Sequence, residues 1–191
     1  QGPRPDLRIL VMSATLDCEA LSSYLSGCPV FKSEGRVFPV QVEYLPQPEQ
    51  VDLGQKVRSA VRILTDRGAR GTTLVFLPGR AEIRRAAQAL TGLSLEVHEL
   101  YGDLPVEEQQ RVLQPGEGRK VILSTNVAET SLTVPGVDAV VDSGLTRQAR
   151  TSPWSGIESL VTVSASQASA IQRTGRAGRL QAGTCLRLYS K

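Results

Sequence analysis

Short, mostly apolar runs recur along this chain, separated by stretches with helical patterning, and that alternation limits the fold more than any other feature. The runs are "RILVM" (8–12), "VQVEYL" (40–45), "TTLVFL" (72–77), "LEVHEL" (95–100), "KVILS" (120–124), "DAVVD" (138–142) and "TCLRLY" (184–189). Between them, Leu53, Val57, Ala60, Val61 and Leu64 share one helical face, and Ile83, Ala86, Ala87 and Leu90 share another. "PVEEQQRVL" (105–113) opens on a proline at a first-turn position followed by two acids, as a helix start should. Strands alternating with helices predict an α/β domain with a mostly parallel sheet flanked by helices. Two stretches break the rhythm. "SEGRVFPVQ" (33–41), with Gly35 and Pro39, reads as a linker. "LTRQARTSPWSGIESLVTVS" (145–164) folds back around Pro153, Ser155 and Gly156 as an added β-hairpin.

A chain of 191 residues, 40% of them hydrophobic, can bury a sizeable core as one α/β unit with part of a second. The 22 basic residues against 19 acidic ones give a net charge of +3, a mild excess that fits an anionic partner as well as an ordinary wet surface. Cys18, Cys28 and Cys185 form no C-x-x-C pair, and His98 is the sole histidine, so no metal site is expected and reduced thiols in the cytoplasm are. The apolar runs are too short to cross a membrane. Met12 is the only methionine and lies inside an apolar run, so the chain is expected to be a piece of something longer, with domains on both sides.

The densest chemistry lies in "QRTGRAGR" (172–179), where Arg173, Arg176 and Arg179 recur every three residues, with Ser164 and Gln167 as a candidate capping box just upstream. Guanidinium groups held so close repel one another unless an anion sits between them, and their planar forks suit phosphate oxygens. Gly175 and Gly178 leave room for close backbone approach. In "STNVAETSLTVPG" (124–136), hydroxyls and an amide follow a buried-looking strand, at the carboxyl end where ligands bind in open α/β sheets. "MSATLD" (12–17) alone carries no more than a helix cap.

Together these segments resemble the superfamily 2 helicases of the DEAH-box type. "SAT" (13–15) is similar to their motif III, "LVFLPGRAEI" (74–83) to motif IV, "STNVAETSLT" (124–133) to motif V and "QRTGRAGR" to motif VI. The texture of "FPVQVEYLP", "LPGRAEIRR", "YGDLPVEEQ" and "VVDSGL" is similar to the bacterial HrpB subgroup. The resemblance implies a RecA-like fold, with residues 1–36 as the tail of helicase lobe one plus linker and 37–191 as lobe two. It implies ATP and Mg2+, both held mainly by lobe one, and a single nucleic-acid strand, RNA in preference to DNA, running across both lobes. Other partners would be lobe one and C-terminal accessory domains of the same parent, with no membrane.

Residue by residue, the resemblance implies that Gln172, Arg176 and Arg179 reach the triphosphate from lobe two, while Arg173 serves the fold through a carboxylate. Thr125 matches a strand phosphate contact, Asn126 a positioning group nearby, and Ser131 a residue that senses the nucleotide. Pro78, Gly79 and Arg80, with the Tyr101–Leu104 turn, match further backbone contacts. Ser13 and Thr15 match the link between nucleotide state and strand grip. The 145–164 hairpin matches a strand separator, with Arg147 and Arg150 as candidate phosphate contacts. Two departures stand out. Many relatives carry an acid for the ribose where this chain has Pro135, and the 191 residues contain neither a G-x-x-x-x-G-K-[ST] phosphate loop nor a D-E-x-H box, so this chain alone is not expected to turn over ATP. A DNA translocase, and a catalytically silent phosphate-binding or scaffold module, stay open as alternatives.

Overall fold

The computed structural model describes residues 4, 6–12, 18–31, 38–45, 48, 50–116, 118–130, 132–151, 154 and 156–191. The chain divides into two compact units, 1–35 and 36–191. In the first, the described residues contain one short helix, α1 (Cys18–Tyr24). Residues 8–12, expected as a strand, form none; Leu10 and Met12 are about four-fifths exposed. An apolar run becomes a strand only when a neighbour takes its backbone hydrogen bonds, and among the described residues of this unit there is no such neighbour.

In the second unit the alternation resolves into strands β1 (Val40–Tyr44), β2 (Thr72–Phe76), β3 (Glu96–Leu100), β4 (Lys120–Ser124), β5 (Val137–Asp142), β6 (Leu145–Thr151), β7 (Glu158–Ser164) and β8 (Gly183–Arg187). The helices are α2 (Leu53–Asp66), α3 (Arg80–Leu90), α4 (Val106–Leu113), α5 (Val127–Thr130) and α6 (Gln167–Thr174). Six strands pair in parallel in the order β1-β8-β5-β2-β4-β3, while β6 and β7 form a separate antiparallel ribbon in which Leu145 faces Ser164 and Thr151 faces Glu158.

Strand alternation divides the core between the two faces of the sheet. Val75, Leu77, Val121, Leu123, Ala139, Val141 and Leu186 pack with Val57, Val61 and Leu64 of α2 and Ile83, Ala86 and Leu90 of α3. Leu74, Phe76, Ile122, Val140 and Cys185 point the other way, onto Val112 of α4, Ala128 of α5 and Ala177. β2 and β4 are buried along their whole length, which accounts for their unbroken apolar runs Leu74 to Phe76 and Val121 to Leu123.

Two helix starts differ from the sequence expectation. Pro105 is the cap of α4 and not its first helical residue. The cap of α6 is Ser166, whose hydroxyl accepts from Ser169 N at 3.1 Å, because Ser164 is held extended as the last residue of the hairpin.

Candidate functional site

Because the six strands are parallel, the segments leaving their carboxyl ends form one rim. Gly79 and Arg80 follow β2, the Tyr101–Leu104 turn follows β3, Thr125 and Asn126 follow β4, and the hairpin follows β5. The structure brings several expected strand contacts together here. The Arg80 guanidinium lies 4.6 Å from the centre of the Tyr101 ring and 3.9 Å from Asp103. The Thr125 amide donates to Leu100 O at 3.1 Å, tying the loop after β4 to the end of β3, while its hydroxyl makes no hydrogen bond among the described residues. Asn126 is exposed, and its carbonyl accepts from Glu129 N at 2.9 Å to start α5. Arg147 lies along the base of the hairpin with its side chain 38% exposed, its guanidinium over Gly79 and 3.6 Å from Glu82. Ser13, Thr15 and Ser131 lie outside the described residues.

The arginine-rich segment crosses from beside this rim, where Arg173 lies, to the amino ends of β1 and β8. α6 runs back from the rim and ends at Thr174, and the turn that follows leads into the amino end of β8. Ending the helix there separates three evenly spaced arginines into three environments. Arg173, on the last helical turn, is 1% exposed; it donates to Glu129 at 3.0 Å, to Asp142 at 2.8 Å and to Leu145 O at 3.2 Å, with the Phe76 ring centre 5.1 Å away. Arg176, in the turn, is 4% exposed, and its two terminal nitrogens donate to the backbone carbonyls of Leu132, at 2.6 Å, and Glu129. Arg179 is exposed, with no carboxylate paired to it among the described residues. Gln172 is half-buried on α6.

Burial, followed by the nearby Arg179 charge, lowers the pKa of the Arg176 guanidinium to about 10, with Glu129 opposing the shift. A desolvated cation beside a second cation is a locus that an anion would relieve. The two glycines of this turn differ. A Cβ on Gly178 would stand 2.6 Å from Phe38 O, so that glycine admits the chain entering β1, whereas one on Gly175 would meet nothing nearer than 3.5 Å.

One segment joins the two ends. Residues 125–136 leave the carboxyl end of β4, form the four-residue α5 and descend to the amino end of β5. Glu129, in α5, accepts from Ser169 Oγ at 2.7 Å and from Arg173 through its side chain, and from Arg176 through its carbonyl. Arg176 therefore holds the middle of the segment whose near end carries Thr125 and Asn126. Sequence reasoning missed Glu129, Asp142 and Glu82 as partners. Glu129 stands inside the "STNVAETSLT" run, but nothing in its spacing marks α6 as its neighbour.

The fold and these two clusters define a class, and the comparisons with known proteins name it: residues 55–181 match the helicase conserved C-terminal domain, and the chain belongs to that family. The ATP-dependent RNA helicase HrpB of Escherichia coli is 45% identical over 199 residues, covering 100% of this chain and 24% of that protein. The pre-mRNA-splicing factor ATP-dependent RNA helicase prp22 of Schizosaccharomyces pombe is 42% identical, covering 98% of this chain and 17% of its own length. A crystal structure of the Escherichia coli DEAH/RHA helicase HrpB superposes with a TM-score of 0.90 at 43% identity, over 100% of this chain and 25% of that one. This chain thus spans a quarter or less of the length of these relatives. Among the described residues no helix is long and apolar enough to cross a membrane, and no group of three or more His, Cys, Asp or Glu side chains could hold a metal ion.

Proposed function

We propose that this chain is the C-terminal lobe of an ATP-dependent RNA helicase, with residues 1–36 the end of lobe one and 37–191 lobe two. It contributes arginines toward a nucleotide bound by lobe one and half of a track for a single strand of nucleic acid. The observation that carries the reading is the turn fixed between β1 and β8, which presents the exposed Arg179 beside the buried Arg176; Arg176 would leave the carbonyls of Glu129 and Leu132 to reach a phosphate. Guanidinium forks suit the charge that builds on phosphoryl oxygens, and such a residue is worth about 10³ to 10⁵ in hydrolysis rate. ATP would supply the phosphoryl group whose transfer to water drives movement. Gln172 and Ser131 complete the nucleotide contacts in this reading. The described residues fit the phosphates and do not fit Mg2+, which needs carboxylates from elsewhere.

Thr125, Asn126, Gly79 and Arg80 would hold the strand by its backbone, since hydroxyls, amides and main-chain groups on phosphate position a strand without reading its bases. Ser13 and Thr15 would link the nucleotide to that grip. The hold of Arg176 on Glu129 O and Leu132 O supports coupling, because the segment it grips begins at Thr125. RNA is favoured over DNA by the names of the relatives, and the free thiols of Cys18, Cys28 and Cys185 favour a reducing compartment such as the cytoplasm.

In a chain carrying both lobes, Arg176→Ala is expected to slow hydrolysis about 10³-fold or more. Near-normal hydrolysis would favour the scaffold alternative. This chain alone is expected to bind single strands weakly and to release them steeply as salt rises; salt-independent binding counts against the track.

A further inference from the structure

We propose that Arg147 is a latch: a positioning residue that sets the angle of the β6–β7 hairpin against the loop after β2, and not a contact to the nucleic-acid strand. Its guanidinium lies so close over Gly79 that a Cβ there would stand 2.7 Å from Cζ and Nε and 3.1 Å from Nη2. Only glycine leaves room for it. The same group faces Glu82, with Nη2 3.6 Å from Oε2, and the Glu82 side chain is 15% exposed. That oxygen is buried and has no hydrogen-bond partner among the described residues, while its twin takes Arg85 Nη2 at 2.7 Å. A carboxylate oxygen withdrawn from water without a donor is costly unless a cation faces it, and Arg147 is the cation in place.

The hairpin needs such a fixture. Its β6 residues from Arg147 outward are exposed, Leu160 is 66% exposed and Trp154 at the tip 98%. A two-stranded ribbon with neither face covered is marginal by itself, so its direction is decided at its base. Two side chains grip that base: Arg173 through Leu145 O, from within the core, and Arg147 through Glu82 and Gly79, from outside. The outer grip ties the hairpin to the first turn of α3, which carries Arg80 and is capped by Gly79. It thereby holds constant the distance between hairpin and loop.

The functional half of this inference rests on the strand-track reading; the structural half does not. Hydrogen exchange on this chain tests the latch directly. Arg147→Ala and Glu82→Gln are each expected to speed exchange of the hairpin-base amides, Thr146 to Gln148 and Val161 to Val163, by about threefold or more, as befits removal of a partly buried ion pair, with β2 and β4 unaffected. The double variant should be no faster than either single one. Gly79→Ala, which changes no charge, should reproduce the effect by displacing the guanidinium, and Arg147→Lys should recover only part of the protection because an ammonium cannot lie flat on the backbone.

Binding to a labelled oligouridine supplies the second readout. The latch leaves the salt slope of Arg147→Ala equal to that of the parent chain, whereas a guanidinium that neutralises a strand phosphate would, on removal, lower the slope by about one. Unchanged hairpin exchange in Arg147→Ala and Glu82→Gln overturns the latch whatever the strand does. A slope lowered by about one in Arg147→Ala assigns the residue to the strand and overturns it equally. If the unmodified chain binds no strand at all, the track reading fails and the exchange measurements still decide the latch.

Discussion

Arg173→Ala tests the buried end of the arginine segment most severely. Asp142 is 0% exposed and Arg173 1%, so truncation strands a carboxylate that keeps only the Gly144 amide at 2.9 Å and the Tyr189 hydroxyl at 3.3 Å. Breaking a buried pair from one side costs about 3–5 kcal/mol. Glu129, at 13% exposed, can turn to water and adds little, while removing the guanidinium beside Phe76 adds about 0.5–2 kcal/mol. A total of about 5 kcal/mol is a large share of the roughly 5–15 kcal/mol that holds a domain. With a urea slope of about 2 kcal/mol per molar, the unfolding midpoint should fall by about 2.5 M. Arg173→Lys should fall between, since one ammonium cannot serve two carboxylates and a carbonyl. Adding Asp142→Asn to Arg173→Ala removes the stranded charge, so the double variant should be less destabilised than the sum of the singles by about 1–3 kcal/mol. A midpoint shift under about 0.5 M, or strict additivity with Asp142→Asn, would refute the hub.

Three further outcomes are expected. Burial, followed by the Asp142 charge, raises the Tyr189 pKa from its ordinary 10 to about 12; the unfolded chain then loses that proton first, so the stabilising contribution is intact below pH 10 and is lost as pH climbs from 10 toward 12. Absorbance titration should show a late-ionising phase that Tyr189→Phe abolishes; the absence of any such phase, or its persistence in Tyr189→Phe, contradicts the burial argument. Gly178→Ala should cost about 1–3 kcal/mol in urea unfolding because its new methyl meets the Phe38 carbonyl and the Val40 side chain, whereas Gly175→Ala should change stability by less than about 0.5 kcal/mol, and equal effects would refute the distinction. The purified chain should release no phosphate from ATP above background, with or without RNA, and measurable turnover would mean that a phosphate site exists outside the expected motifs.

The sequence revealed the parallel core and much less of what surrounds it, for a physical reason. β2 and β4 are buried on both faces, so consecutive residues of "LVF" (74–76) and "VIL" (121–123) carry the same message and periodicity cannot mislead. "RILVM" carries the same message in isolation, but strand formation depends on a partner, which no single run can reveal. The hairpin was legible from its punctuation, whereas the placement of Arg147 was not, because Gly79 and Glu82 lie far earlier in the chain and meet it only through the parallel topology.

The arginine segment shows the same limit at its sharpest. Spacing alone treats Arg173, Arg176 and Arg179 as equivalent, three charges on successive turns of one helix. The helix, however, stops at Thr174, and from that point rise and direction change with every residue. Arg173 stays on the helix and turns into the core, where two carboxylates from α5 and β5 await it. Arg176 is swung onto the carbonyls at the end of α5, and Arg179 is carried past them into solvent. The division of labour among three identical side chains thus follows from where one helix ends. That end is set from outside the segment: Gly178 must admit Phe38 and Val40 of the neighbouring strand, and a helix continued through 178 would put a turn of backbone where β1 begins.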